Sequence, residues 1–598
     1  MDAATTEVSR HVWETRYRAG QERGLEDTWR RVAGALAAVE PRDRGAWEER
    51  FHSALRDFRF LPGGRILAGA GTPLRVTLFN CFVMGLIEDS MDGIFEALKE
   101  GALTMQQGGG VGYDFSTLRP AGTPARSVGA VASGPVSFLR VWDSMCATLL
   151  STGARRGAMM ATLRCDHPDI EAFIDAKREK GALTNFNLSV QVTDAFLAAV
   201  EQDADWPLAF PTHALGGDAG GGFVLRRWTG AAKPVPCLIF RSVPARALWD
   251  KLLRAAYEHA EPGLLFVDRI NRLNNLWYRE HLTATNPCGE IPLPAYGACD
   301  LGSLNLVRFV VEPFSPAARL DLEGLREAAA TAVRMLDNVI DASRFPLPQQ
   351  ERAARETRRI GLGLTGLADA LILLGHRYGS PGALAVATEA MRSICHAAYR
   401  ASIELAKEKG SFPALDREKY LQGEFVRSLP ADIQEGIAAH GIRNSHLTAI
   451  APTGTISLLA GNVSSGLEPI FGLRFHRRVL GAEGGARDFE LTDPALTLWR
   501  EIHPGAEPPA ELFVTARELP PPAHLDMQAA LQPFVDSAIS KTINVPAGLP
   551  FSRFRDVYDQ ALTRGLKGLT TFRPNPVTGD VFSSPETAHC CAIEREAG

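Results

Sequence analysis

The chain has 598 residues, of which 45% are hydrophobic and 22% charged, so it is long and apolar enough to bury a sizeable core. Its formal net charge is -5 and it contains no run of five or more Lys and Arg residues, which argues against a nucleic-acid polymer as a partner. Nine cysteines are too few for a disulfide scaffold, and no Cys-x-x-Cys occurs, so we predict neither a zinc ribbon nor any other metal site.

An amphipathic pattern over residues 26–39 predicts a helix, and we expect residues 1–55 to form a small N-terminal helical cap. Short apolar runs broken by glycine follow, at residues 65–69 and 77–83. Such runs predict buried strands in an α/β core over residues 56–575.

Two later segments, residues 321–343 and 381–409, predict long helices. Pro381 fits a first helical position, and Gly410 marks the end. The final residues, 576–598, lose periodicity and are expected to form a flexible tail.

The N-terminus has no apolar signal-peptide core, and the most apolar stretch, residues 360–375, is too short to cross a bilayer. We therefore expect a cytoplasmic protein without a membrane segment.

The most informative segment is residues 285–292, in which an amide, a thiol and a carboxylate follow one another at Asn286, Cys288 and Glu290. In an extended or loop backbone, residues two apart project to the same side, so the three can face one pocket. A carboxylate raises the pKa of a nearby thiol, which disfavours a thiolate nucleophile but suits hydrogen-atom chemistry with the carboxylate as general base. The alternative is a buried structural cysteine in a proline-rich turn with a surface glutamate.

Two more cysteines could lie close to this segment in the folded chain. Cys299 lies eleven residues after Cys288, and Cys81 lies in the apolar run 78–83. Three thiols could meet inside one barrel, with two of them cycling between dithiol and disulfide. Taken alone, Cys81 is better explained as a packing residue.

Together these residues strongly resemble the large subunit of ribonucleotide reductase. The resemblance covers about residues 55 to 575, in the expected order, and rests on several segments: 79–83, 105–112, 153–158, 286–290, 360–363 and 451–456. It implies a ten-stranded α/β barrel of the ribonucleotide reductase/glycyl-radical type, with the Cys288 loop inside the barrel.

The resemblance also implies roles for individual residues. Cys288 would carry a thiyl radical that abstracts the substrate 3′ hydrogen, and Glu290 would accept the 3′-hydroxyl proton. Asn286 would bind the sugar hydroxyls. Cys81 and Cys299 would be the reducing pair and would end as a disulfide.

Further residues are expected to bind nucleotides. The segment before the apolar run 457–460 suits a helix N-terminus that cradles phosphate, although an ordinary Thr-capped helix is the plain alternative. The substrate-binding residues that the resemblance implies are Asn80, Gly110, Pro287, Gly289, Pro452, Thr453, Gly454, Thr455 and Ile456. Residues that match a deoxynucleotide effector site and its relay loop, near residues 89–158, are Asp89, Ser90, Met91, Arg119, Arg155 and Arg156. For Arg119 a surface ion pair is the alternative.

The family divides by its radical source. This chain has no adjacent tyrosine pair near its C-terminus and no glycyl-radical pattern. Residues 567–575 and 11–17 instead resemble the adenosylcobalamin-dependent class. The alternatives are a large subunit that needs a separate radical-generating protein, and a non-catalytic nucleotide-binding relative.

The resemblance also suggests partners. We expect a dNTP specificity effector, a thioredoxin- or glutaredoxin-like reductant and a homodimer, and no activity-regulating ATP-cone. Cys590 and Cys591 are adjacent, so a disulfide between them would be strained and easily reduced, as an electron shuttle requires. A single working thiol or an idle pair are the competing interpretations.

Overall fold

The computed structural model describes residues 6–125, 130–151, 155–215, 221–480 and 486–574. Within these ranges the helices are α1 Glu7–Val12, α2 Leu25–Ala37, α3 Arg44–Leu55, α4 Gly64–Gly69, α5 Met91–Gln106, α6 Pro135–Thr148, α7 Ile170–Ile174, α8 Asp194–Glu201, α9 Thr212–Leu215, α10 Ala245–His259, α11 Val267–Arg272, α12 Leu322–Ala342, α13 Pro348–Thr357, α14 Leu367–Leu373, α15 Pro381–Lys409, α16 Arg417–Gln422, α17 Glu424–Arg427, α18 Ala431–His440, α19 Gly454–Leu459, α20 Pro494–Ile502, α21 Pro521–Leu531 and α22 Phe551–Thr563.

The strands of the same ranges are β1 Phe60–Pro62, β2 Cys81–Val83, β3 Gly110–Asp114, β4 Pro124–Ala125, β5 Ala130–Val131, β6 Leu150–Ser151, β7 Arg155–Arg156, β8 Met159–Arg164, β9 Phe186–Val192, β10 Asp205–Pro211, β11 Phe223–Arg226, β12 Val235–Pro244, β13 Gly263–Phe266, β14 Ala284–Thr285, β15 Pro292–Leu293, β16 Ala298–Asn305, β17 Val310–Val311, β18 Arg319–Leu320, β19 Ile360–Thr365, β20 Arg474–Leu480, β21 Ala486–Thr492, β22 Thr542–Asn544 and β23 Gly568–Phe572.

The largest sheet has ten strands and closes into a barrel made of two parallel halves. Strands β2, β3, β8, β9 and β13 run parallel in one half. In the other half β16 is parallel to β19, and β22 is parallel to β23. Parallel bridges from Leu362 to Thr448 and from Ile450 to Ile539 complete this half. The halves meet in antiparallel pairs, β2 with β16 and β13 with β23.

Three helix predictions are confirmed by the structure. The segment 26–39 contains most of α2, with Trp29, Val32 and Leu36 buried. The segment 321–343 is α12, whose first turn is capped by Asp321. The segment 381–409 is α15, which starts at Pro381 and ends before Gly410.

The strand prediction for residues 65–69 is wrong, because this segment is the helix α4. Ile66 and Leu67 both donate backbone hydrogen bonds to the carbonyl of Gly63, which starts a helical turn. Nearly every side chain of α4 is buried, so the helix has no polar face. A short continuous apolar run fits a buried strand and a buried helix equally well.

The strand predicted over residues 77–83 is shorter than expected. Only Cys81–Val83 forms a strand, and the preceding residues form a loop. In that loop Leu78 donates its backbone N–H to the hydroxyl of Ser343, which lies just beyond α12. A side chain from elsewhere in the fold thus replaces a sheet partner.

A short hairpin of β14 and β15 enters the barrel and carries residues 286–291 at its tip. It lies directly on β3, where a Cβ atom at Gly112 would come within 1.9 Å of the carbonyl oxygen of Thr285. Only glycine permits this approach. Within the described residues no helix is both long and apolar enough to cross a membrane.

Candidate active site

Cys81 and Cys299 are direct cross-strand partners at the antiparallel junction of β2 and β16. Both residues are fully buried and both are free thiols. Opposite residues of an antiparallel pair have Cα atoms about 4.5–5.5 Å apart, which lies within the range that a disulfide spans. The fold therefore places these two cysteines where they can be joined without moving either strand.

The hairpin tip brings Asn286 and Glu290 to Cys81. The amide Nδ2 of Asn286 donates to Cys81 Sγ over 3.2 Å, and Cys81 Sγ lies 3.9 Å from Glu290 Oε1. Asn286 Oδ1 accepts a hydrogen bond from the backbone N–H of Ile291, which closes the tip on itself. The backbone carbonyl of Glu290 accepts from Ala538, so the tip is also tied to the opposite half of the barrel.

Burial sets the proton affinities of this cluster. It raises the pKa of Glu290 to about 7, although hydrogen bonds from Asn286 and Cys81 oppose the rise. Burial also raises the pKa of Cys81 well above its usual range, and the adjacent Glu290 carboxyl and the thiols of Cys299 and Cys288 add to the rise. The pKa of Cys299 is raised mainly by burial and further by Asp300. Thiols of this kind remain protonated at neutral pH and are suited to donating hydrogen or protons.

Cys288 lies at the hairpin tip, half-buried, and lines a cavity together with Pro287 and Gly289. Gly289 has a φ of +86°, a backbone conformation that favours glycine, and it donates its N–H to the carbonyl of Asn286. The segment is therefore a tight turn. It brings Asn286 and Glu290 to one buried thiol, Cys81, while Cys288 lines the cavity.

The cavity has a volume of about 1650 Å³, including its open mouth. Its lining includes Pro452, just before α19, and Phe475 and Arg477 of β20, and part of its wall is apolar. Its apolar lining includes Ile470, Phe471, Phe475, Leu569 and Phe572.

The other residues expected at the substrate lie around the same tip. Asn80 is buried, its two side-chain polar atoms have no protein partner in the described part of the chain, and its carbonyl accepts the N–H of Gly110. A Cβ at Gly110 would lie 3.1 Å from Pro287. Asn80, Gly110 and Pro287 are thus brought together beside the cluster of Cys81, Asn286 and Glu290.

The predicted phosphate loop does start a helix, α19 at Gly454, but Thr453 does not cap it. Thr453 is in the left-handed region, with φ 56°, and its side chain makes no capping hydrogen bond. Its hydroxyl is instead 2.8 Å from the Thr365 hydroxyl and accepts from the N–H of Gly466. Of this loop, Pro452 lines the cavity, and the buried Thr453 hydroxyl braces the loop against β19. Thr455 is half-buried and Ile456 is buried.

The residues expected at an effector site form a separate cluster at the start of α5. Arg119 pairs with Asp89, with 2.7 Å between Nε and Oδ2, and Ser90 caps α5 by accepting the N–H of Gly93. Met91 begins this helix and is 59% exposed. An ion pair of this kind is the alternative interpretation of Arg119. The effector site at this cluster therefore stays a prediction.

Arg155 and Arg156 form the strand β7, which pairs with β6. Their side chains lie outside the described part of the molecule. Cys590 and Cys591 also lie outside the described residues.

Some residues at the site were missed by the sequence interpretation. Asn187 of β9 donates Nδ2 to the carbonyl of Pro287 over 2.7 Å and so fixes the base of the Cys288 turn. Phe475 and Arg477 of β20 line the cavity from a hairpin far along the chain. A lone Asn inside an apolar strand, such as Asn187 in residues 186–192, is the signal that could have indicated the first of these.

Comparison with known proteins agrees with this geometry. The family model described as "Ribonucleotide reductase, barrel domain" matches residues 79–572, and the one described as "Ribonucleotide reductase, all-alpha domain" matches residues 4–75. A vitamin B12-dependent ribonucleoside-diphosphate reductase of Mycobacterium tuberculosis (strain CDC 1551 / Oshkosh) is 42% identical over 579 residues, which are 94% of this chain and 77% of the relative.

A second relative is the vitamin B12-dependent ribonucleoside-diphosphate reductase of Thermoplasma acidophilum. It is 37% identical over 557 residues, which are 90% of this chain and 67% of that protein. The barrel and the N-terminal helical region expected from the sequence are confirmed by these matches. The chain belongs to the ribonucleotide reductase family, together with these vitamin B12-dependent members.

Proposed function

We propose that this chain reduces ribonucleoside diphosphates to 2′-deoxyribonucleotides with a thiyl radical on Cys288, and that adenosylcobalamin is its cofactor. The observation that carries the proposal is the register of Cys81 opposite Cys299 with the Glu290 carboxyl 3.9 Å from Cys81. A nucleotide-binding protein without catalysis has no need of a buried dithiol beside a carboxyl.

Glu290 is assigned the role of general base toward the substrate 3′-hydroxyl. Its Oε1 contacts Cys81, whereas its buried Oε2 has no protein partner among the described residues and can accept a hydrogen bond from the sugar. A pKa of about 7 keeps this carboxyl able to both accept and return a proton near neutral pH. Asn286 then exchanges its bond to Cys81 for one to a sugar hydroxyl.

Cys81 and Cys299 are assigned the two-electron reduction. One ribonucleotide and two thiols give one deoxyribonucleotide, one water and one disulfide, so the 2′-hydroxyl leaves with a proton from the pair. Cys81 is the better placed proton donor, because it contacts both Asn286 and Glu290, whereas Cys299 Sγ donates to the carbonyl of Asp300.

The residues of the cavity fit a corrinoid. Cys288 lines the same cavity, so a group held there would lie next to the thiol that is to carry the radical. Its aromatic and aliphatic wall suits a large planar ring, which Phe471, Phe475, Leu569 and Phe572 would hold. When bound, adenosylcobalamin supplies a carbon radical by homolysis of its Co–C bond. The chain's task is to present the half-buried Cys288 to that cavity and to exclude water from Cys81 and Cys299.

Substrate phosphates are assigned to the start of α19, residues 452–456, where helix N–H groups are available. The effector is assigned to the Asp89–Arg119 cluster. The β6–β7 hairpin is assigned the role of coupling effector binding to the choice of substrate base. We propose a homodimer through α5, because Met91, Phe95 and Leu103 lie on one face of that helix and are 40–59% exposed.

Reduction of the Cys81–Cys299 disulfide is assigned to Cys590 and Cys591, with a thioredoxin- or glutaredoxin-like protein as the external reductant. The cycle needs a compartment that keeps thiols reduced, so a cytoplasmic location is part of the proposal.

The test is to incubate the purified chain with CDP, a dithiol and adenosylcobalamin, with and without a dNTP, and with no second protein. The proposal expects dCDP, and a dNTP that changes the rate. Product that forms only after a separate radical-generating subunit is added would reject the cofactor assignment.

A further inference from the structure

The N-terminal helix α1 packs against α19, the helix that follows the proposed phosphate loop. Ser9 is fully buried, and its hydroxyl donates a hydrogen bond to the carbonyl of Leu459, the last residue of α19. Val8 and Val12 are buried on the same helix. A segment at the start of the chain therefore contacts α19, a helix whose flanking residues line the cavity, across 450 residues of sequence.

The bond from Ser9 completes the C-terminal end of α19. A helix end leaves carbonyls without intrahelical partners. The carbonyls of Ile456, Ser457 and Leu458 accept from backbone N–H groups of residues 460–462, whereas that of Leu459 accepts from the Ser9 hydroxyl. The side chain of α1 therefore supplies a bond that the local turn does not.

Both ends of α19 border the cavity. Pro452 precedes the helix, and Asn462, Val463, Ser464 and Ser465 follow it, and all of these residues line the cavity. The helix has six residues, so it acts as a short rigid bar about 9 Å long. The position of α19 therefore sets where the cavity-lining residues before and after it lie.

The same N-terminal segment also holds the hairpin β20–β21. The ring of His11 lies 5.1 Å from the ring of Phe489, and Glu7 forms an ion pair with Arg487. Phe489 is the cross-strand partner of Arg477, which lines the cavity. Thus α1 contacts two of the elements that form the cavity wall, α19 and the hairpin.

We propose that α1, residues 7–12, acts as a clip that positions α19 and the β20–β21 hairpin for nucleotide binding, with Ser9 as its principal positioning residue. The inference rests on the proposed function, because it takes the cavity to be the nucleotide site. Its contacts with Leu459, Arg487 and Phe489 lie on α19 and the hairpin, so the clip governs how well substrate is held and leaves the chemical step alone.

The test compares Ser9→Ala with Thr15→Ala in the full chain with adenosylcobalamin, dithiol and CDP. Thr15 is a matched control, because it lies outside α1 and its hydroxyl donates to the carbonyl of His11, one turn back along the chain. We expect Ser9→Ala to raise KM for CDP roughly three- to tenfold, as loss of one buried hydrogen bond would, with kcat within about twofold. Thr15→Ala should leave both constants unchanged.

Equal KM values for Ser9→Ala and the unaltered chain, or a loss confined to kcat, would overturn the clip. If Ser9→Ala unfolds too readily to assay, His11→Ala is the second variant, because it removes the ring contact with Phe489. We expect His11→Ala to raise KM for CDP as well. An unchanged KM in this variant would count against the clip. Equilibrium dialysis of labelled CDP provides a readout without turnover. If the unaltered chain binds CDP but does not reduce it, the proposed function fails while the clip can still be judged from the binding constants.

Discussion

Cys81 and Cys299 occupy directly opposite positions at the seam where the two parallel halves of the barrel meet in antiparallel fashion. A parallel neighbour would not give the same arrangement, because its hydrogen bonds are slanted and no two residues stand squarely opposite. The seam therefore suits a reversible dithiol, and the hairpin tip delivers Asn286 and Glu290 to one member of it.

The raised pKa of Glu290 predicts how turnover depends on pH. Burial raises its pKa from the ordinary 4.5 to about 7, and a general base must be ionised to act. We expect kcat/KM to fall about tenfold per pH unit below pH 7, and Glu290→Gln to lower turnover at least about a hundredfold and to abolish that limb. A rate that stays constant from pH 7 to pH 5 in the unaltered chain would contradict the assignment.

The raised pKa of Glu290 also predicts how the free energy of unfolding changes with pH. Between about pH 4.5 and 7 the folded chain holds a proton on Glu290 that the unfolded chain has lost, so this group lowers the free energy of unfolding as pH rises through that window. A shift from 4.5 to about 7 corresponds to roughly 3 kcal/mol. Urea unfolding at pH 5 and pH 8 should show that Glu290→Gln gains stability relative to the unaltered chain at the higher pH.

Cys288→Ser should abolish dCDP formation, because a hydroxyl cannot replace a thiol as the radical carrier. The side chain is half-buried at a turn, so the variant should fold normally. Cys395→Ala is the matched control, since Cys395 is buried in α15 away from the hairpin. Circular dichroism would verify folding of both variants. Retained turnover in Cys288→Ser would remove this residue from the mechanism.

Gly112→Ala tests whether the hairpin must lie tight against β3. The new Cβ would come within 1.9 Å of the Thr285 carbonyl oxygen, a backbone atom that can yield only if the hairpin moves. We expect at least about a tenfold loss of kcat, because misplacing a reacting group by an ångström is costly. Gly548→Ala, at a site with no atom within 4 Å of the new Cβ, should retain full activity.

Phe95→Asp tests the proposed dimer. Phe95 is 49% exposed on the apolar face of α5, and a carboxylate there would have to be desolvated in an interface. Sedimentation velocity should show a dimer for the unaltered chain and a monomer for the variant. Phe223→Asp, on the separate sheet of β10 to β12, is the control and should remain dimeric. A monomeric unaltered chain would reject the interface.

The sequence predicted the long helices better than the short elements. It also led to the meeting of Cys81, Cys299, Asn286 and Glu290 in one buried cluster, whose catalytic roles stay predictions. Pro381 and Gly410 bound α15 as expected, because both act through local backbone geometry. Residues 65–69 were misassigned, because burial on all sides removes the periodicity that separates helix from strand. The roles of Asn187 and Phe475 depend on contacts between distant segments, which spacing along one chain does not reveal.

The Thr453 loop also separates a local feature that the sequence predicted from long-range contacts that it did not. Its motif correctly predicted where a helix starts, at Gly454. The Thr453 hydroxyl, in the loop expected to bind phosphate, is bonded to Thr365 and Gly466. These two partners come from other strands and loops, so only the fold could disclose them.

The central claim is that Cys81 and Cys299 provide the two electrons for each reduction. The most direct measurement is a single turnover with CDP and adenosylcobalamin but no external reductant, in a chain carrying Cys590→Ser and Cys591→Ser, followed by alkylation and peptide mass spectrometry. We predict a Cys81–Cys299 disulfide formed in proportion to dCDP, at one for one. Formation of dCDP while both cysteines remain free to alkylate would contradict the account.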